Sequence, residues 1–107
     1  MSATVNTRAE GASIQITLSG EIDLANAASV EHELRAAVSH QTSAVSVDLT
    51  DLAYIDSTGI RILFTFASRL KPLRIMLCLV VPLDSPTRRL IELSGFESLA
   101  MLQPKHQ

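Results

Sequence analysis

Two short apolar segments separated by one helix-like segment constrain the fold of this chain most strongly. Residues 44–49 are rich in β-branched side chains, and residues 74–81 are nearly all apolar, as expected of a central strand covered on both faces. Between them, residues 58–70 carry apolar side chains at helical spacing, and Lys71-Pro72 ends that segment. This order of strand, helix and strand predicts a β-sheet covered by helices.

The N-terminal part of the chain predicts a hairpin followed by a helix. Residues 3–19 are predicted to form two strands around Glu10-Gly11. The second strand alternates apolar and polar side chains, and we expect the two strands of this hairpin to pair antiparallel. A helix is predicted at about residues 26–40, with Asn26 as its N-cap and His40 in its last turn, where the helix dipole favours a cation. Its predicted apolar face comprises Ala27, Val30, Leu34, Ala37 and Val38.

The C-terminal part predicts one more helix and an edge strand. Ser85-Pro86 is a strong helix start, and Gly95 is the matching stop before a short strand at residues 99–102. The apolar face of that helix comprises Leu90, Ile91 and Leu93. The whole order predicts an α/β fold, with a mixed sheet of about four to five strands covered by about three helices. We expect a single domain over residues 1–107.

Composition excludes several classes of function. The formal net charge is −2 without a basic face, so direct nucleic-acid binding is not expected. The longest apolar run, residues 75–81, is too short to span a membrane, and the N-terminus does not resemble a signal peptide. Cys78 is the only cysteine, which excludes an intrachain disulfide and indicates the cytoplasm. Because Cys78 lies inside an apolar strand, we interpret it as a small core residue.

No catalytic or metal-binding constellation is recognisable in the sequence. His32, His40 and His106 are scattered, and none has a second ligand at metal-binding spacing. Asp23 and Asp56 each follow a β-type segment and could lie at one end of the sheet. Acid–base catalysis by this pair would require a substrate cleft, which the sequence does not indicate. We therefore expect neither an enzyme nor a resident cofactor.

A polar stretch, Asp56-Ser57-Thr58-Gly59, interrupts two apolar segments and is the main candidate site. The preceding residues lack the glycine that flanks a hydrolytic serine nucleophile. Ser57 is a suitable N-cap for the helix that follows. A hydroxyl at a helix N-terminus could also carry a phosphate, which would add about −1.5 to −2 charges. Thr58 could act as a contact residue, a cap or a minor phosphoacceptor.

The helix after this stretch raises two further alternatives. Ile62 and Phe66 are spaced i, i+4 at the edge of the predicted apolar stripe, so they either form an exposed patch or pack under a neighbouring element. Arg61 is one turn from Ser57 and could bind a phosphate or contact an acidic partner. The predicted core side of this helix comprises Ile60, Leu63, Phe64, Ala67 and Leu70.

Three segments of the chain resemble a known family. GEIDLANA (20–27), VDLTDLAYIDSTGIRIL (47–63) and SPTRRLIELSGFESL (85–99) are similar, in order and spacing, to the signature segments of the anti-sigma factor antagonist family, the STAS domain. In that family, an acid-Ser-[Ser/Thr]-Gly motif after a strand carries a phosphorylated serine. The resemblance implies that Ser57 is that serine.

The resemblance also implies a partner-switching cycle. The unphosphorylated protein would bind an anti-sigma factor serine kinase and release a sigma factor, the kinase would phosphorylate Ser57, and a PP2C-type phosphatase would reverse the reaction. We expect the partner-binding residues to be Asp23, Asp56, Ser57, Thr58, Gly59, Arg61, Ile62 and Phe66. The alternative is a non-switching STAS subunit of another complex, such as a lipid-transport ABC ATPase or a stress-sensing assembly.

Overall fold

The structure, a computed structural model, describes residues 2–104 and contains one sheet and three α-helices; His106 lies outside the described residues. The strands are β1 (Ala3–Glu10), β2 (Ser13–Ile22), β3 (Ala44–Asp48), β4 (Leu52–Ile55), β5 (Met76–Val80) and β6 (Met101–Gln103). The helices are α1 (Ala27–Ala36), α2 (Ser57–Leu70) and α3 (Pro86–Leu93), and a 3-10 turn spans Phe96–Ser98.

The sheet is mixed, as predicted, with the order β1-β2-β3-β5-β6. Strand β1 pairs antiparallel with β2, whereas the other pairings are parallel. Strand β4 pairs with β2 beyond the end of β3, and the register shifts at Gly20, which has φ +89. The α/β fold is therefore confirmed. The described sheet has six strands because Leu52–Ile55 pairs as a strand of its own.

The helices and the sheet share one core on a single face of the sheet. Alternate strand residues such as Ile16, Val47 and Leu79 are buried with side chains from all three helices. On the opposite face, Met76 is 69% exposed and Cys78 is half-buried, and neither belongs to the core cluster. The prediction that residues 74–81 are covered on both faces is therefore wrong at Met76 and Cys78, although Val80, on the same face, is 1% exposed. The prediction that Cys78 is a core residue is also wrong. Burial still raises the pKa of the Cys78 thiol, which disfavours the thiolate.

Helix α1 begins after Asn26 as predicted, but it is shorter and lacks a side-chain cap. It ends at Ala36, so His40 lies beyond its last turn. The chain leaves the helix through a turn in which the Ser39 N–H donates to Thr42 Oγ1 at 3.0 Å. Asn26 occupies the N-cap position, but its side chain makes no capping hydrogen bond. Competing local hydrogen bonds of these short polar side chains explain both differences.

Helix α3 has the predicted start and stop. The Arg88 N–H donates to Ser85 Oγ at 3.1 Å, and proline occupies the first turn. Gly95, with φ +79, follows the helix in the left-handed conformation that favours glycine. Strand β6 begins at residue 101, later than predicted, because the 3-10 turn occupies the intervening chain.

Candidate functional site

The C-terminal ends of the parallel strands β2 and β4 bring two carboxylates to one end of the sheet. Ile22 and Ile55, the last residues of these strands, are paired, and the Asp56 N–H donates to the Ile22 carbonyl at 3.2 Å. Asp23 and Asp56 directly follow these strands. The expectation that Asp23 and Asp56 lie at one end of the sheet is therefore confirmed, and Ser57 lies at the same end.

Asp56, and not Ser57, caps helix α2. Its extended backbone precedes the helix, and its Oδ1 accepts a hydrogen bond from the Gly59 N–H at 2.9 Å. The prediction that Ser57 is the N-cap is wrong, because Ser57 is already the first helical residue. A carboxylate at this place also benefits from the positive end of the helix dipole. The exposed Ser57 hydroxyl makes no hydrogen bond to any residue in the range 2–104.

The second oxygen of Asp56 holds the loop between β2 and α1. Asp56 Oδ2 accepts from the Leu24 N–H at 3.2 Å. Within that loop, Asp23 Oδ1 accepts from the Ala25 N–H at 2.9 Å, and Asn26 Oδ1 accepts from the Asp23 N–H at 3.0 Å. These bonds hold the loop beside the start of α2. Both oxygens of the half-buried Asp56, and one oxygen of the half-buried Asp23, accept from backbone N–H groups.

Gly59 serves the packing of α2 and offers no surface to a partner. It is buried, and a Cβ at this position would lie 2.5 Å from Ile55 Cγ1 and 2.9 Å from Ile22 Cγ2. The absence of a side chain therefore lets the first turn of α2 approach both strands closely. The expectation that Gly59 contacts a partner is wrong. Thr58 is half-buried and does not cap the helix, and its contact with a partner stays a prediction.

Ile62 and Phe66 belong to the core, so the expectation that they form a partner-binding patch is wrong. Their exposed fractions are 8% and 3%. Helix α1 packs against α2 and adds a buried side that the sequence pattern does not assign. The buried stripe comprises Gly59, Ile60, Ile62, Leu63, Phe66, Ala67 and Leu70. Phe64, which is predicted on the core side, instead lies at the edge of this buried stripe and is 36% exposed.

A groove of about 630 Å³ adjoins Ser57 on the outer side of α2. Its apolar wall includes Tyr54, Phe64 and Leu90, which come from β4, α2 and α3 and are all partly exposed. The Phe64 ring is held by Phe96 in an edge-to-face contact, with ring centroids 5.3 Å apart. Sequence reasoning missed this surface, because side chains from three elements meet there only after folding.

Arg61 provides the positive charge of the groove. Its side chain is exposed, lines the groove with Ser57, and forms no ion pair with the acids of residues 2–104. The one ion pair found in that range joins Arg88 and Glu92 at 3.3 Å. No group of three or more potential metal ligands occurs in the same range. The site thus combines a free hydroxyl, an apolar wall and an unpaired guanidinium.

The sequence profile of the STAS domain matches residues 3–107. The chain belongs to the STAS domain family. This STAS domain is 36% identical over 84 residues to BtrV of Bordetella bronchiseptica, a candidate anti-sigma factor antagonist, covering 77% of this chain and 70% of BtrV. The resemblance inferred from the three sequence segments is confirmed.

Solved structures show the same STAS fold. An anti-sigma factor antagonist from Mycobacterium paratuberculosis is 28% identical, with a TM-score of 0.85, over 97% of this chain and 87% of that protein. Unphosphorylated SpoIIAA is 17% identical, with a TM-score of 0.71, over 94% of this chain and 87% of SpoIIAA. The phosphorylated form of Bacillus SpoIIAA is 18% identical, with a TM-score of 0.65, over 92% of this chain and 90% of SpoIIAA. Within residues 2–104, no helix is long and apolar enough to cross a membrane.

Proposed function

We propose that this STAS protein is an anti-sigma factor antagonist that is controlled by phosphorylation of Ser57. In its unphosphorylated form it binds an anti-sigma factor that is also a serine kinase, and a sigma factor is released. The kinase transfers the γ-phosphoryl group of ATP to the Ser57 hydroxyl and then dissociates. A PP2C-type phosphatase hydrolyses the phosphoserine and restores binding.

The free hydroxyl of Ser57 is the observation that carries this proposal. Because Asp56 caps α2, Ser57 is exposed in the first turn without a structural hydrogen bond that phosphorylation would break. The fold can therefore tolerate a phosphate there, and the first-turn N–H groups and the helix dipole favour an anion at this place.

Phosphorylation would change the partner-facing surface strongly. It adds about −1.5 to −2 charges next to the Asp56 carboxylate, on a chain of formal net charge −2. Arg61, one turn along α2, lines the same groove as Ser57 and can pair with the new phosphate. In the phosphorylated state, Arg61 would no longer be available to an acidic group of the partner. The phosphate would also repel that acidic group.

The relatives support the binding role. BtrV is a candidate anti-sigma factor antagonist, the Mycobacterium paratuberculosis protein is an anti-sigma factor antagonist, and SpoIIAA is known in unphosphorylated and phosphorylated forms. The groove beside Ser57 has the character of a protein interface, since aromatic and aliphatic side chains meet one arginine. In this proposal the protein is a substrate and a binding module rather than an enzyme, and it acts in the cytoplasm.

Mass spectrometry of Ser57 variants tests the phosphorylation step. The protein is incubated with ATP and the kinase-type anti-sigma factor from the same organism, and the modified residue is mapped. We expect phosphate on Ser57 in the unsubstituted protein and in Thr58→Ala, and no phosphate in Ser57→Ala. Phosphate on Thr58 alone, or no modification, would contradict the assignment for that kinase.

Binding measurements on two Ser57 variants test the switch. Ser57→Ala should bind the anti-sigma factor as tightly as the unsubstituted protein, because the hydroxyl is not needed for the fold. Ser57→Asp should weaken binding by about tenfold or more, equivalent to about 1.4 kcal/mol, because it adds a negative charge at the contact. Equal affinity of the two variants would refute control by charge at this position.

A further inference from the structure

Leu24 is an exposed apolar side chain next to the proposed phosphoacceptor. It lies in the loop between β2 and α1 and is 77% exposed. Its backbone N–H lies 3.2 Å from Asp56 Oδ2, so Leu24 and Ser57 are neighbours of the same residue. A single exposed leucine is common on protein surfaces, and exposure alone therefore does not assign it a role.

The loop that carries Leu24 is held in one conformation by hydrogen bonds. Side chains within the loop accept from the Asp23 and Ala25 N–H groups, and Asn26 Nδ2 donates to the Glu21 carbonyl at 2.8 Å. These bonds lie within the segment itself. The bond to Asp56 is different, because it fastens the tip of the loop to the start of α2.

An apolar side chain on a preorganised loop is suited to insertion into a partner. Because these hydrogen bonds already order the loop backbone, less of its conformational freedom has to be lost on binding, which lowers the cost of association. Leu24 and the apolar wall formed by Tyr54, Phe64 and Leu90 both adjoin the Asp56-Ser57 segment. A kinase that reaches the Ser57 hydroxyl approaches this surface, where it can contact both Leu24 and the apolar wall.

We propose that Leu24 is an apolar anchor for the anti-sigma factor and that Asp56 is the residue that positions it beside Ser57. The inference rests on the proposed function. The partner feature that it implies is an apolar pocket large enough for one leucine side chain, close to the nucleotide that phosphorylates Ser57. Asp56 thus has two tasks, since one oxygen caps α2 and the other fixes the anchor.

Two exposed leucines form a matched pair for the first test. Leu73 is 64% exposed and follows the C-terminal end of α2, whereas Ser57 begins that helix. Affinity for the anti-sigma factor is measured for Leu24→Ala and for Leu73→Ala. We expect Leu24→Ala to weaken binding about tenfold or more, as for an interface anchor, and Leu73→Ala to remain within about twofold. Equal affinities of the two variants would overturn the anchor.

Asp56→Asn separates the two tasks of Asp56. Asparagine is a good N-cap, so its single oxygen can continue to accept from the Gly59 N–H, while its NH₂ group cannot accept from Leu24. By NMR, amide hydrogen exchange should accelerate at Leu24 and remain slow at Gly59. Binding should fall, and the double variant Leu24→Ala/Asp56→Asn should bind within about twofold of Leu24→Ala alone.

These experiments together distinguish a failure of the Leu24 anchor, or of its positioning by Asp56, from a failure of the proposed function. Additive losses in the double variant, or unchanged exchange at Leu24, would overturn the positioning role of Asp56. If the unsubstituted protein binds and is phosphorylated on Ser57 while Leu24→Ala matches Leu73→Ala, the anchor alone fails. If the unsubstituted protein neither binds nor is phosphorylated, the proposed function fails, and the anchor fails with it.

Discussion

The two sides of helix α2 perform different tasks although they share one backbone. On the inner side, Ile62 and Phe66 are buried against the core. On the outer side, Ser57 and Arg61 are exposed, and Phe64 is partly so. The side chain at position 61 faces the groove, whereas the next one belongs to the core. Charge can therefore change on the outer side without a loss of packing on the inner side.

Removal of one aromatic ring from each side should give the largest contrast in stability. Phe66→Ala should lower the free energy of unfolding by about 3–5 kcal/mol, because a fully buried ring is lost. Phe64→Ala should cost less than half of that, since the ring is 36% exposed and loses mainly its contact with Phe96. Urea unfolding of both variants measures the difference. Equal losses would contradict the assignment of Phe66 to the inner side.

A methyl group at Gly59 tests how closely the inner side approaches the sheet. Gly59→Ala should lower the free energy of unfolding by about 1–3 kcal/mol, because the new Cβ would meet side chains of β4 and β2 at 2.5 and 2.9 Å. Ser57→Ala, two residues earlier on the outer side, is the matched control and should remain within about 0.5 kcal/mol. A neutral Gly59→Ala would show that α2 can move away from the strands without cost.

Removal of the cap should have an intermediate effect. Asp56→Ala should lower the free energy of unfolding by about 1 kcal/mol, the usual cost of losing an N-cap side chain. The same unfolding experiment on Ser57→Ala compares the two candidate caps directly. A larger loss for Ser57→Ala than for Asp56→Ala would restore Ser57 as the cap and remove the main support for a free hydroxyl.

Only a small change in stability is expected for Ser57→Asp, although its proposed effect on binding is large. Ser57→Asp places an acid in the first turn of α2, where the helix dipole is worth about 0.3–1 kcal/mol and repulsion from Asp56 opposes it. The free energy of unfolding should thus change by less than about 1 kcal/mol. A large destabilisation would mean that weaker binding by this variant reflects a damaged fold.

Local signals predicted several features correctly because their physical cause lies within a few residues. Ser85 caps α3 and Gly95 follows it, since hydroxyl capping and a left-handed glycine depend on the immediate backbone. Alternation predicted the hairpin partner β2 and its buried face. The three family segments led to the STAS domain, which the profile match confirms.

Errors arose where two neighbouring side chains could do the same task. Asp56 and Ser57 are both good caps, and the backbone places the carboxylate at the position before the helix. Helix α2 has apolar side chains around much of its circumference, so the sequence alone does not say whether the pair of Ile62 and Phe66 or the side of Phe64 faces the core.

The sequence by itself determined the family, the polar interruption before α2 and the order of strands and helices apart from β4, which it did not predict as a separate strand. These follow from periodicity, from local capping chemistry and from segments that keep their spacing. Only the tertiary structure decided that Ile62 and Phe66 are buried, that one face of the sheet stays open, and that Leu24 lies beside Asp56. Each of these depends on contacts between residues far apart in the chain, such as the packing of α1 on α2, and no local pattern encodes such a contact.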